Sequence, residues 1–356
     1  MRKNLPIGIQ TFQEIREGNY YYVDKSGFVL QLIDQGKYYF LSRPRRFGKS
    51  LLLDTLKELF EGNQPLFQGL AAYDQWNWSV TYPVIRISFG EGVVKSGGEL
   101  KERIGELLRH HQQRLGVVCE AASNAGCFFE LIRKTHQKFG QRVVILVDEY
   151  DKPILDNIES PDTALEMREK LRDIYSVIKG ADAHVKFAFL TGVSKFSKVS
   201  LFSGLNNLKD ITIDKRYSAI CGYTDSDLDA VFAAELEGLD RDEVRAWYNG
   251  YNWTGDAVYN PFDLLLFDQR QFRPWWFETG TPTFLVNYLT EKGFFTPDLA
   301  GLRSSMTLLS TFDVGHMAPE ALLFQTGYLT IKKVEEPIRG SGFTRSVIPT
   351  MKSRPV

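Results

Sequence analysis

The segment Tyr38–Ser50 reads Tyr-Tyr-Phe-Leu-Ser-Arg-Pro-Arg-Arg-Phe-Gly-Lys-Ser, and it decides the fold. Its apolar start predicts a buried strand over Tyr38–Leu41, and the leucine-rich run that follows predicts a helix over residues 49–61. A loop between a strand and a helix N-terminus can cradle a phosphate, because consecutive backbone N–H groups converge on the phosphate oxygens. In such a loop Lys49 adds a mobile positive charge, and the hydroxyl of Ser50 can reach Mg²⁺.

This loop departs from the strict phosphate-loop (Walker A) pattern at one position. The pattern requires glycine at position 43, where this chain has Arg43. Taken alone, Gly48-Lys49-Ser50 is equally compatible with an ordinary turn that carries a solvated lysine. The interpretation therefore depends on a second motif elsewhere in the chain.

That second motif follows the most apolar strand. Val143–Val147 is a run of five apolar residues, which suits a central strand, and it ends in Asp148 and Glu149. Open α/β sheets bind ligands at the carboxyl ends of their strands. Asp148 is expected there to hold Mg²⁺ through the cation's water shell, and Glu149 to deprotonate a water that attacks the γ-phosphate of ATP. An isolated Asp-Glu pair would favour a plain solvent-exposed strand end, but the two motifs in this order favour Walker A and Walker B sites.

Three further strands are predicted at Val84–Phe89, Val185–Leu190 and Ile211–Ile213, and helices at 99–115 and 125–138. This alternation predicts an α/β fold of the P-loop NTPase kind, a parallel sheet with helices on both faces. Only one strand separates the two motif strands in sequence. That spacing leaves room for an additional strand between them in space.

The strand Val185–Leu190 leads into Thr191-Gly192-Val193-Ser194-Lys195. Polar groups at this strand end lie where a sensor of the γ-phosphate is expected, and Thr191 is the first candidate. A simple strand-ending turn is an equal alternative.

After Ile213 the sequence changes to helices with clear start signals, such as Thr224-Asp225-Ser226-Asp227 and Thr281-Pro282. A smaller, mainly helical C-terminal domain is predicted. The expected divisions are an N-terminal lead at 1–36 packed on the core, a P-loop ATPase domain at 37–213, a helical lid at 214–340 and a poorly ordered tail at 341–356.

The composition limits the class of protein. Lys and Arg number 43 against 44 Asp and Glu, and 43% of the residues are hydrophobic, which excludes a disordered chain and a highly charged nucleic-acid tail. The 3 cysteines show no Cys-x-x-Cys spacing and the 5 histidines are scattered, so we expect a reducing compartment and no structural metal. Neither a signal peptide nor an apolar span of membrane length is visible. The expectation is a cytoplasmic protein with no membrane partner.

Several motifs together resemble the AAA-ATPase-like proteins, found mostly in bacteria, that commonly carry a PD-(D/E)XK nuclease-like domain at the C-terminus. The resemblance covers residues 5 to about 335 and lies in Leu5–Ile9, Tyr22–Lys25, Phe40–Ser50, Leu146–Asp151, Thr191–Ser194 and Glu278–Pro282. It implies a P-loop ATPase core followed by a helical lid, with Arg43-Pro44-Arg45-Arg46 as the usual form of the loop.

The expected site residues follow from the motifs and the resemblance. Expected to bind ATP are Arg46, Phe47, Gly48, Lys49 and Ser50. The expected Mg²⁺ ligands are Ser50 and Asp148, and the expected catalytic residues are Glu149 and Thr191.

The cluster Arg43, Arg45 and Arg46 also allows a nucleic-acid interpretation. Three arginines in a phosphate loop more simply serve the nucleotide or a neighbouring subunit's site. The net charge of −1 gives no global support for DNA binding, although a local patch stays open. The triplet Glu99-Leu100-Lys101 lies in a predicted helix with no acidic strand end before it, so no nuclease activity is expected.

The C-terminal segment differs from the rest of the chain. It carries four basic residues, Arg339, Arg345, Lys352 and Arg354, has no acidic residue after Glu336, and shows no apolar periodicity. These features are typical of a truncated or frameshifted end.

The function expected from the sequence is ATP binding with Mg²⁺-dependent hydrolysis that drives a conformational change. The alternative is an ATP-sensing switch or interaction scaffold with little turnover. A homo-oligomer is one option for the partner, since ATPases of this type often complete their sites with an arginine from a neighbour.

Overall fold

A five-stranded parallel sheet organises the first part of the chain in the computed structural model. The structure describes residues 2–195, 201–202, 205–266, 272, 288–290, 293, 304–305, 318–335 and 346–351. The strands of the parallel sheet are β1 Tyr38–Ser42, β2 Val84–Ser88, β3 Val143–Asp148, β4 Val185–Gly192 and β5 Lys209–Asp210, in the spatial order β2-β3-β4-β1-β5.

Helices alternate with these strands and continue after them. They are α1 Phe12–Glu17, α2 Ser26–Gln35, α3 Lys49–Glu61, α4 Gly97–Leu115, α5 Asn124–Phe139, α6 Lys152–Leu155, α7 Pro161–Gly180, α8 Asp225–Val231, α9 Arg241–Tyr248, α10 Pro261–Leu266 and α11 Pro319–Thr326.

Both faces of the sheet are covered. Every residue of β1 and of β3 is buried, and side chains on a strand alternate between the two faces, so neither face can be open to solvent at these strands. The helix α3 packs against β2, β3 and β4, whereas α4, α5 and α7 pack against one another and α5 also covers β3. The predicted α/β fold of the P-loop kind is confirmed.

The strand β4 lies between β1 and β3, so the additional strand predicted between the two motif strands is present. Parallel strands end at the same edge of a sheet. The loop after β1, the carboxylates after β3 and the polar residues after β4 therefore come together at this edge.

The fifth strand differs from the prediction. It is Lys209–Asp210 and pairs with Tyr39 and Phe40, whereas Ile211–Ile213 was predicted as the strand. The backbone N–H of Thr212 donates to Asp210 Oδ1 at 2.9 Å, a local turn that directs the chain out of the sheet. An apolar three-residue pattern is too short to reveal such a turn.

Part of the chain between Leu228 and Leu265 forms a second core, whereas Tyr251 and Trp253 in this stretch belong to the main core. The helix α8 begins with the predicted capping box, in which Thr224 and Asp227 bond each other's backbone N–H groups. A second sheet of three antiparallel strands, β6 Ser304–Ser305, β7 Leu329–Glu335 and β8 Ser346–Met351, has the order β6-β8-β7. The prediction of a mainly helical domain missed this sheet. The helix start predicted at Thr281-Pro282 lies outside the described residues.

Part of the predicted poorly ordered tail has regular structure. Ser346–Met351 pairs with Leu329–Glu335, so the prediction is wrong for these six residues. The missed signal is the β-branched pair Val347-Ile348, which favours extended backbone despite Pro349. The remaining residues of 341–356 lie outside the described part of the chain.

The N-terminal lead contacts both cores. The ring of Phe12 lies 4.9 Å from the ring of Phe67 in the main core. Tyr21 and Val23 belong instead to the second core, and the Lys25 ammonium lies 2.7 Å from the Asp227 carboxylate of α8. The lead therefore connects the sheet domain to the residues after 214.

Within the described ranges, no helix is long and apolar enough to cross a membrane. The same residues hold no group of three or more His, Cys, Asp or Glu side chains that could bind a metal ion. Cys119, Cys127 and Cys221 are free thiols.

Ile145 of β3 provides a test of the fold. Its side chain is fully buried in an inner strand of the sheet, so Ile145→Ala should lower the free energy of unfolding by about 2–5 kcal/mol through lost burial and the cavity left behind. Val118→Ala is the control, because Val118 is 73% exposed and its loss should change stability by less than about 0.5 kcal/mol. Urea unfolding measures both, and equal effects would contradict the buried position of β3.

Candidate functional site

The phosphate loop has a backbone shaped by Gly48. This residue has φ +87° and directly precedes α3. A Cβ at this position would meet no atom within 4 Å, so the left-handed backbone rather than crowding requires glycine. Arg46 also has a positive φ of 62°, which is uncommon for a residue with a side chain.

The ammonium of Lys49 lies inside this loop. Its Nζ donates to the carbonyl oxygens of Arg43 and Pro44, each at 2.9 Å, and the residue is only 6% exposed. Burial lowers the pKa of Lys49, and the negative charge of Asp148 opposes that shift. Two backbone carbonyls therefore hold the ammonium inside the loop.

The two carboxylates after β3 have different surroundings. Asp148 is buried, and its Oδ1 accepts hydrogen bonds from the Thr191 hydroxyl at 2.9 Å and from the Glu149 N–H at 3.0 Å. Glu149 has φ +50°, and its carboxylate lies beside Gly90 at the end of β2. Burial raises the pKa of Glu149, and the neighbouring charge of Asp148 raises it further. A raised pKa makes Glu149 a stronger base than an ordinary glutamate.

A cavity of about 600 Å³ lies over the loop, within the size range of small-molecule sites. Its wall has three parts: the phosphate loop with Glu149, the N-terminal lead near Ile9, and residues after 214 near Tyr223 and Phe262. The expected ATP-binding residues that line it are Arg46, Phe47, Gly48, Lys49 and Ser50. The structure thus brings the loop and the proposed base to one cavity.

Asp148 and Thr191 do not line this cavity and lie behind it. Thr191 is fully buried, and its hydroxyl donates to Asp148. The Thr191 hydroxyl holds the carboxylate of Asp148 in place and does not line the cavity, and its role as a sensor of the γ-phosphate stays a prediction. A strand-end pattern cannot show which way a hydroxyl points.

Arg43, the first arginine of the loop, is enclosed by other residues of the protein. Arg43 is fully buried, and its guanidinium donates to the carbonyls of Ser42, Thr212 and Tyr217. The guanidinium also lies 3.9 Å from the ring centre of Trp253, and burial lowers the pKa of Arg43 to about 10. Arg43 therefore serves the packing of the loop, and the interpretation that all three arginines serve a nucleotide is wrong for it.

Two other loop side chains contact the residues after 214. Phe47 is fully buried, with ring centres 4.7 Å from Tyr251 and 5.2 Å from Trp253 in edge-to-face geometry. The Arg46 guanidinium lies 3.9 Å from the ring centre of Phe262. Because the Phe47 side chain is packed away, only its backbone can bind phosphate.

Three charged residues near the site received no role from the sequence. Asp151 is fully buried, and its carboxylate accepts the N–H groups of Val193 at 3.1 Å and Ser194 at 2.6 Å, which fixes the end of β4. Burial raises the pKa of Asp151, and the hydrogen bonds from Ser194 oppose this shift. Arg86 and Asp54 form an ion pair behind Asp148. The sequence carried one signal for this ion pair, the charged Arg86 in the middle of an apolar strand.

A parallel sheet of this order, with a glycine-lysine loop and a strand-end carboxylate at one cavity, defines a P-loop nucleotide-binding fold. A family described as predicted AAA-ATPase matches residues 6–202, and the chain belongs to this family. Membership supports an ATP-binding, ATPase-like function.

The chain is also similar to an "uncharacterized protein in vnfD 5'region" of Azotobacter chroococcum mcd 1. The two are 66% identical over 336 residues, which cover 94% of this chain and 65% of that protein. The chain thus spans a little under two thirds of the relative's length. No solved structure matches this chain.

Substitution of Arg43 tests its structural role. Arg43→Met should lower the free energy of unfolding by about 2–5 kcal/mol, because three buried carbonyls lose their donors at about 1–3 kcal/mol each while the cost of burying the guanidinium is removed. Arg45→Met is the matched control, since Arg45 is exposed in the same loop and should matter by less than about 0.5 kcal/mol. Thermal unfolding of both variants measures the difference. Equal midpoints would show that Arg43 does not hold the loop.

Proposed function

We propose that this protein binds ATP with Mg²⁺ in the cavity over the phosphate loop and hydrolyses it. The observation that carries the proposal is that Lys49, Ser50 and Glu149 line one cavity at the N-terminus of α3. A helix N-terminus and an ammonium favour phosphate, and a carboxylate of raised pKa is suited to accept a proton from water.

The roles of the protein groups follow from their positions. The backbone N–H groups at the start of α3 would bind the β- and γ-phosphates, and Lys49 would exchange its two carbonyl partners for phosphate oxygens. Glu149 would orient the attacking water and take its proton. Thr191 would keep Asp148 in a fixed orientation through their hydrogen bond.

The residues present suit Mg²⁺. The Ser50 hydroxyl and the Asp148 carboxylate are hard oxygen donors, which Mg²⁺ at nucleotide sites uses together with phosphates and water. Ser50 lines the cavity, whereas the buried Asp148 would hold the cation only through bound water. When bound, the cation would neutralise charge on the phosphates during transfer. Asp148 Oδ1 is occupied by two protein donors, so Oδ2 is the oxygen suited to the cation's water shell.

The contacts between the phosphate loop and the residues after 214 fit the alternative function, an ATP-sensing switch, as well. Arg46 and Phe47 of the phosphate loop contact Phe262, Tyr251 and Trp253, so a change in the loop would reach the residues after 214 directly. An ATP-sensing switch would use these contacts without turnover. An ATPase would use them to convert hydrolysis into movement of the same residues.

Substitution of Lys49 tests ATP binding. Lys49→Ala should weaken ATP binding by roughly 10- to 100-fold, because charge-assisted hydrogen bonds to phosphate are lost. Lys57→Ala is the matched control on the same helix, since the Lys57 amine pairs with Glu61 at 3.5 Å and does not line the cavity. Calorimetric titration with ATP measures the three proteins. Equal affinity of wild type and Lys49→Ala would reject the site.

Substitution of Glu149 separates the ATPase from the switch. Glu149→Gln keeps the shape of the side chain but cannot take a proton, so ATP binding should persist while phosphate release slows by roughly 10²–10⁴-fold. Glu91→Gln is the control, because Glu91 is exposed and pairs with Arg103. A wild type that releases no phosphate, alone or with DNA added, would favour the switch.

A further inference from the structure

Arg86 faces two carboxylates from neighbouring elements, Asp54 and Asp148. Arg86 lies in β2, where its Nη1 donates to Asp54 Oδ1 of α3 at 2.6 Å. Its Nη2 faces Asp148 Oδ2 of β3 at 3.9 Å. The order of charges is therefore negative, positive, negative, with the guanidinium shared unequally between the two carboxylates.

The two oxygens of Asp148 differ in their partners. Oδ1 accepts the Thr191 hydroxyl and the Glu149 N–H, whereas Oδ2 faces Arg86 at a distance longer than a hydrogen bond. The oxygen suited to a metal-bound water is thus the one whose charge Arg86 influences. A cation at Oδ2 and the Arg86 guanidinium would compete for the same negative charge.

Asp54 holds the guanidinium on the other side. It is 5% exposed, and its Oδ2 accepts the backbone N–H of Phe12 at 2.7 Å while Oδ1 takes Arg86. The backbone of Arg86 is fixed as well, with its carbonyl oxygen 2.6 Å from His111 Nε2. Burial lowers the pKa of His111 to about 4, so this ring is neutral at neutral pH and adds no charge beside Arg86.

We propose that Asp54 and Arg86 are positioning residues that set the strength of Mg²⁺ binding at Asp148, an inference that rests on the proposed function. Asp54 keeps the guanidinium away from Oδ2. Without Asp54, Arg86 would turn its full charge on Asp148 and oppose the metal. Without Arg86, the negative charge of Asp148 would be less compensated and would attract the metal more strongly.

The test uses the full chain and a fluorescent ATP analogue. Binding of the analogue is measured over a series of free Mg²⁺ concentrations, which gives the concentration that produces half of the Mg²⁺-dependent rise in affinity. Asp54→Asn should raise this concentration by roughly three- to tenfold, because the released Arg86 guanidinium would act more strongly on the Asp148 carboxylate. Arg86→Gln should lower it by roughly three- to tenfold through the removed positive charge.

Arg86→Lys is the matched control, because it retains the charge and should stay nearer to wild type than Arg86→Gln does. A merely structural role would lower the unfolding midpoint without Mg²⁺, but it would not move the Mg²⁺ requirement in opposite directions. Asp54 also anchors Phe12, so Asp54→Asn could fail to fold. In that case the comparison of Arg86→Gln with Arg86→Lys tests the inference.

The outcomes distinguish the inference from the function on which it rests. A wild type that binds the analogue in a Mg²⁺-dependent manner, with Asp54→Asn and Arg86→Gln unchanged or shifted in the same direction, would overturn the inference alone. A wild type that shows no Mg²⁺-dependent binding would overturn both.

Discussion

The buried guanidinium of Arg43 is the interaction on which the site depends. A charge removed from water is costly unless hydrogen bonds replace its hydration, and this one is met by three backbone carbonyls and the face of Trp253. Those partners come from the end of β1, from residues 212–217 and from Trp253 in the main core. One side chain thus fixes the loop between the sheet and the segment that follows it.

The site then follows from the topology of the sheet. Since β1, β3 and β4 run parallel, their carboxyl ends deliver the loop, the carboxylates and Thr191 to one edge. Hydrogen bonds between neighbouring strand ends fix the groups at this edge. The Thr191 hydroxyl orients the Asp148 carboxylate, and the Asp151 carboxylate holds the backbone of Ser194. The geometry of this edge therefore depends on Thr191 and Asp151, which do not line the cavity.

The sequence predicted most of the fold and part of the site. Strong apolar runs such as Val143–Val147 revealed the central strands, and the helix at Lys49–Glu61 was confirmed to the residue. Side-chain direction was beyond reach, because Arg43 and Arg46 look alike in sequence while one is buried and the other exposed. The ion pair of Asp54 and Arg86 joins residues far apart in the chain, and only folding brings them together.

The most direct experiment is a structure of the chain with Mg²⁺ and a non-hydrolysable ATP analogue. The β- and γ-phosphates should lie at the N–H groups of residues 46–50, with Lys49 Nζ moved from the Arg43 and Pro44 carbonyls to the phosphate oxygens. An analogue seated instead in the neighbouring cavity of about 280 Å³ lined by Pro44, Leu155 and Tyr328, with Lys49 unmoved, would contradict the nucleotide site described above.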